Sequence, residues 1–256
     1  MIQTKSSFYY GHTITEENRY LDFKEGAGPE MTAVLDIGEY TLTDFLSTVA
    51  RALNDASALT YLVEVDRVTR LITVSTSSAF TLLASTGTNI GRGPWSLLGF
   101  AVNTSSATSH TATSASGSEW RPQYMGQDFV DFEDQQDAID GVVRQSTSGR
   151  VEAVKFGNKK TMDVSWKFIT DIFQSANSPI ENQANGLANA RTFLEYAVTK
   201  ADLEFIPDRA NPSVFTKCIL DSTPESKDGL AFKLKELYSQ GLVGYYDTGV
   251  LKFRKL

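Results

Sequence analysis

The sequence predicts an α+β, mainly-β protein: antiparallel sheets in a sandwich-like arrangement, a few packed helices and two lobes. Three observations carry this. Apolar and polar residues alternate with a period of two in several runs, as where Met162, Val164, Trp166 and Phe168 interleave with Asp163, Ser165 and Lys167. Candidate strands follow one another across turns rather than across helices, which favours hairpins over βαβ units. A stretch of Ser, Thr, Ala, Asn and Gly at 103–118 divides the chain.

The elements follow in order. Ile2 to Tyr10 reads as an edge strand, followed by a variable segment to about Gly28. Met31 to Ile37 reads as a strand, and Glu39-Tyr40-Thr41 as a turn. Leu42, Phe45, Leu46, Val49, Ala50 and Leu53 recur at helical spacing behind Thr41 or Thr43 as N-cap, so a helix should run to between Asn54 and Ser57. Tyr61 to Asp66 and Leu71 to Ser75 form a hairpin, and Phe80 to Ala84 a third strand. Pro94 to Phe100 reads as a short helix or turn closed by Gly99, plugging Trp95, Leu97, Leu98 and Phe100 under the sheet.

The first lobe therefore spans 1–102. Residues 103–118 bury too little to order themselves and read as a linker or long exposed loop, with a polar edge strand as the other reading. The second lobe, 119–256, holds two long strands, Val142 to Phe156 and Thr161 to Phe173, with Gly157-Asn158-Lys159-Lys160 as their hairpin tip. A loop at 174–186 precedes a helix over 187–201 with Ala190, Phe193, Leu194, Ala197, Val198 and Ala201 as its apolar stripe. Strands at Leu203 to Ile206 and Val214 to Leu220, a short helix at Leu230 to Tyr238 and a closing strand at Gly249 to Arg254 complete the chain.

Composition narrows the function. Hydrophobic residues make up 41% and charged residues 21% of 256, the balance of a globular chain, and 15 Phe, 10 Tyr and 3 Trp can fill a large core. A net charge of -7 opposes non-specific binding to nucleic acid or to an anionic membrane surface; Lys155, Lys159 and Lys160 make the one evident basic patch. With Cys218 as the single cysteine, no intrachain disulfide forms, which fits a reducing cytosol. The opening residues lack the apolar run of a signal peptide, and no run approaches a membrane span.

No motif carries chemistry. His12 and His110 lack a neighbouring partner that would fix a catalytic tautomer, and Cys218 lies in an apolar strand, where a thiol is inert. No zinc site can be built from one cysteine and two distant histidines. The acidic run Asp128, Asp131, Glu133 and Asp134, with Asp137 and Asp140, has calcium-type ligands without EF-hand spacing; it reads as a solvated face, or as an acidic surface for a basic partner. A hydrolase pair would come from Asp128, Asp131, Glu133 and Asp134, which show no pattern. The glycines of 87–93 suggest a phosphate cradle, but Gly93 precedes Pro94 rather than Lys and Ser/Thr, so a tight connection is the better reading. Phe8, Tyr9 and Tyr10, with Tyr245 and Tyr246, are candidate interface anchors or core.

A resemblance rests on Thr43-Asp44-Phe45-Leu46, Ala52-Leu53-Asn54, Val65 to Ser75, Phe80 to Asn89 and Leu97-Leu98-Gly99-Phe100 in the first half. In the second half it rests on Trp166-Lys167-Phe168, Phe205-Ile206-Pro207-Asp208 and Tyr245 to Arg254. Together these resemble structural proteins of tailed-bacteriophage virions, although Ser85-Thr86-Gly87 stands where such proteins often carry Gly-Thr-Gly. The resemblance implies a tail subunit made in the host cytoplasm: a distal-tail or baseplate hub ring, hexameric by expectation. A neck, connector or tail-tube subunit is the alternative, and a glycan-binding attachment module is an alternative of another class. It implies no cofactor, metal or catalysis. Its partners would be itself and neighbouring virion proteins, through Phe8, Tyr9, Tyr10, Lys159, Lys160, Tyr245, Tyr246 and the 176–186 loop.

Overall fold

The computed structural model describes residues 2–3, 6–121, 123–124, 133–145, 151–165, 169–170, 187–240 and 243–256. Strands are numbered β1–β19 and helices α1–α3 in chain order. The architecture is mainly antiparallel sheet with few helices, the α+β, mainly-β class that the alternation predicts. Two bodies divide the chain, and the division departs from the lobes read in the sequence. The first takes Lys5–Trp120 and also Asp202–Phe215; the second takes Met1–Thr4, Arg121–Ala201 and Thr216–Leu256.

In the first body, a sheet runs β5 (Glu30–Val34), β4 (Tyr20–Glu25), β8 (Leu71–Leu82), β7 (Leu62–Asp66), with β9 (Ala107–Thr111) also on β8. The expected third strand at Phe80 is the far half of β8, which pairs with β7 near Leu71 and with β4 near Leu82. Helix α1 (Leu42–Ala56) lies against β5 and β7. Its start is fixed by Thr41, whose Oγ1 accepts from the Asp44 N–H at 3.2 Å and donates to the Asp44 carboxylate at 2.7 Å. Phe45, Val49, Ala52 and Leu53, one helix face, are buried against Phe23, Ile72, Val74 and Phe80. Burying each large side chain contributes roughly 1.5–3 kcal/mol. Helix α2 (Trp95–Leu98) stops where Gly99 turns left-handed at φ 79°. A Cβ there would lie 2.0 Å from the Ser114 carbonyl oxygen, so only glycine fits.

The residues expected to link two lobes are woven into this body. Thr104 N–H donates to the Leu82 carbonyl at 3.1 Å, Ala112 N–H to Ile72 at 2.8 Å and Ser116 N–H to Arg70 at 2.8 Å. Between them β9 pairs with β8. Backbone hydrogen bonds, together with the burial of His110, Ala112 and Ser116, order the stretch, and composition does not report these. Glu39-Tyr40, expected in a turn, lies in β6 (Gly38–Tyr40), which pairs with β3 (His12–Ile14).

A second layer consists of β10 (Ser118–Trp120), β2 (Ser7–Tyr10) and β15 (Leu203–Ile206), with β2 in the middle. The expected edge strand is therefore an interior strand. The Phe8 ring stacks 6.2 Å from Trp120 and meets Phe205 at 5.0 Å in a tilted contact.

In the second body, β12 (Glu133–Gln145), β13 (Val151–Ser165), β19 (Val250–Lys255) and β16 (Thr216–Ser222) lie in that order. A small sheet joins β14 (Ile169–Thr170), β18 (Val243–Asp247) and β17 (Lys235–Gln240), and β1 (Ile2–Gln3) pairs with β11 (Gln123–Tyr124). Helix α3 (Leu187–Ala197) buries Ala190, Phe193, Leu194 and Ala197, as its spacing predicts. The helix expected over Leu230 to Tyr238 is absent: residues 231–234 are irregular and Lys235–Gln240 is strand. Pairing with β18 overrides the helix preference of Lys-Leu-Lys-Glu-Leu.

Candidate assembly surface

The histidines and the cysteine, set aside as catalytic groups from the sequence, are buried. His12 and Ser116 are fully buried and stand 3.0 Å apart, Nε2 to Oγ. The pair has the elements of a base and a nucleophile but no access to solvent. His12 Nδ1, which a catalytic histidine turns toward an orienting carboxylate, has no hydrogen-bond partner among the described residues. Burial, and then the Arg70 charge, lower its pKa to about 3. His110 is buried, with Nε2 2.9 Å from the Phe80 carbonyl oxygen. Cys218 is buried in β16.

The glycine loop after β8 closes on a carboxylate. Asp22 accepts from the Asn89 backbone N–H at 2.6 Å, the Asn89 side chain at 2.9 Å and Thr32 at 2.7 Å. A Cβ on Gly87 would fall 2.4 Å from Asp22 Oδ2, which explains the glycine. With a buried carboxylate at its centre, the loop repels phosphate rather than cradling it.

Among the described residues no group of three His, Cys, Asp or Glu is arranged to hold a metal ion. Residues 128–132 of the acidic run lie outside the described residues; Glu133, Asp134, Asp137 and Asp140 lie along β12. In the second body a cavity of about 380 Å³ is lined by Lys200, Leu220, Asp221, Lys227 and Arg254 among others. Two of these cations are turned onto the protein: Lys200 donates to the carbonyls of Leu220 and Asp221 at 2.6 and 3.1 Å, and Arg254 to the Asp221 carboxylate at 2.8 Å.

The expected contact residues are redistributed. Phe8, Tyr9 and Tyr10 are buried at 0, 3 and 7% exposure and serve the first body, so they offer no exposed anchor. Tyr9 donates its hydroxyl to the Arg67 carbonyl at 2.7 Å. Lys159 and Lys160 are not a hairpin tip. They lie mid-strand in β13, opposite Ala138 and Asp137, and Lys160 is exposed. The Gly157-Asn158 signal marks a break in register instead: Asp140 pairs with Gly157 and Gly141 with Lys155, leaving Phe156 as the extra residue of a bulge. Tyr245 and Tyr246 lie in β18, Tyr246 half-buried and opposite Ile169 and Glu236. The 176–186 loop and the side chains of Lys159 and Tyr245 lie outside the described residues.

The feature the sequence reading missed is the length and openness of the β12–β13 ribbon. β13 pairs with β19 only from Thr161 to Ser165. From Val151 to Lys160 its one partner among the described residues is β12, so ten residues, about 30 Å of strand, run beyond its pairing with β19. Among the described residues the outer edge of β12 has no partner strand, and neither does this part of β13. A two-stranded ribbon is marginally stable alone, and its unpaired N–H and C=O groups are a template for a further strand. Comparison with models of known protein families and with curated proteins gives no match to this chain.

Proposed function

We propose that this chain is a structural subunit of a phage tail, a distal-tail or baseplate hub ring protein, working by binding copies of itself and neighbouring virion proteins rather than by catalysis. The observation that carries the self-association is the β12–β13 ribbon, whose two outer edges have no partner strand among the described residues. A neighbouring copy satisfies those edges, and symmetric assemblies are a common way for soluble chains to do so. The placement in a tail rests on the sequence resemblance; a neck, connector or tube position would use the same contacts.

Light scattering behind size-exclusion chromatography tests this on the full chain. The expected mass is a ring of several 28.2 kDa subunits, growing in share with concentration. A monomer at every concentration, with affinity for a host glycan, would replace this reading with that of an attachment module.

A further inference from the structure

We infer that copies of this chain join head to tail, the acidic outer edge of β12 in one copy pairing with the basic outer edge of β13 in the next. This rests on the self-association proposed above and adds the direction of the contact and its chemistry. The two strands of the ribbon carry opposite charge. β12 holds Glu133, Asp134, Asp137 and Asp140 against Arg144 alone. β13 from Val151 to Lys160 holds Lys155, Lys159 and Lys160 against Glu152 alone. Within one copy the register sets Asp137 opposite Lys160 and Arg144 opposite Glu152 along the part of the ribbon that β19 does not flank; Glu133 opposite Asp163, where β13 also pairs with Lys252 of β19, is the like-charged exception.

A residue in an interior strand has a direct neighbour on each side, and like charges directly opposite are destabilising. Joining two β12 edges would set carboxylates against carboxylates, and joining two β13 edges would set lysines against lysines. Joining β12 to β13 continues the acidic–basic alternation from copy to copy. The favoured contact is therefore between different surfaces of the two copies. Such a contact leaves one open edge at each end and repeats until it closes into a ring or grows as a filament, whereas a like-edge contact stops at a two-fold pair.

The test exchanges the charges of the two strands: Asp137→Lys and Asp140→Lys on β12, with Lys159→Glu and Lys160→Glu on β13. Unlike charges stay opposite within the ribbon, so this variant assembles alone as the wild type does. The two chains, one carrying a mass tag, are mixed at high salt, where charges are screened, returned to low salt and weighed by native mass spectrometry. Head-to-tail joining predicts self-sorting, with mixed oligomers about tenfold below their statistical share, because each mixed junction sets like charges together. Preferential mixing would mean like-edge pairing, and statistical mixing would place the contact elsewhere; either overturns the inference while leaving self-association intact. If both chains remain monomers, the reading beneath it fails as well. Circular dichroism checks folding, and should the fourfold variant not fold, the single exchange Asp137→Lys with Lys160→Glu is read against the same outcomes.

Discussion

Replacing Glu204 by Ala is expected to destabilise the first body by roughly 3–5 kcal/mol, the scale for stripping one partner from a buried ion pair. Glu204 lies on β15 with its side chain fully buried. Its carboxylate accepts from the Arg67 guanidinium and, at 2.7 Å, from the backbone N–H of Thr43. Thr43 is in the first turn of α1, where N–H groups lack helical partners and the helix end is positive. One carboxylate from residue 204 thus completes a helix that begins near residue 42. Arg67 is held besides by the Pro212 carbonyl at 2.8 Å and lies 3.9 Å over the Phe215 ring. Removing Glu204 leaves a nearly buried guanidinium without its carboxylate and a helix N–H without an acceptor. Glu204→Gln keeps the shape and acceptor oxygen but loses the charge, and should fall between. Urea unfolding followed by tryptophan fluorescence reads this body, where Trp95 and Trp120 are buried. A loss below about 1 kcal/mol for Glu204→Ala would show the pair to be dispensable.

Acidification should unfold the first body sooner than its carboxylates alone require, because of His12. Burial, then the Arg70 charge, hold its pKa at about 3 against an ordinary 6.5. Between those values the unfolded chain takes up a proton that the folded chain refuses, so stability rises with pH across the window. The contribution is complete above about pH 6.5 and is lost progressively as the pH falls toward 3, at about 1.4 kcal/mol per pH unit. By pH 4 the loss is on the order of 3 kcal/mol. His12→Gln can keep a hydrogen bond to Ser116 and cannot titrate. Unfolding free energies at pH 7, 6 and 5 should therefore converge on those of the variant as the pH drops. Parallel curves for the two proteins would mean that His12 takes up its proton in the fold as readily as in the unfolded chain.

The sequence is legible where an element's burial follows from its own period. Helix α1, α3 and the Gly99 stop are of this kind: Phe45, Val49 and Leu53, or Ala190, Phe193 and Ala197, need only a surface to lie on. It is illegible where a distant strand decides. Glu204 pairs with Tyr9, so the chain returns to the first body at 202–215, and the lobe boundary drawn from composition misses the return. Phe8, Tyr9 and Tyr10 read equally as core or interface until β15 and β10 cover them. The assembly surface fails for a local reason. Gly157-Asn158 signals a turn and a bulge alike, and choosing the turn moved Lys159 and Lys160 from mid-strand to a tip. The segregation of acids on β12 from lysines on β13 is visible in the sequence, but its meaning requires the register.

Hydrogen exchange along β13 tests the assembly account most directly. In an antiparallel ribbon alternate N–H groups point outward, so about half of those between 151 and 160 face the open edge. In dilute monomer these should exchange fast while their inward neighbours are protected by β12. As concentration drives particle mass upward, the outward set should become protected and the inward set stay as it was. If particles grow while the outward amides keep exchanging at the monomer rate, the ribbon is not the joint between copies.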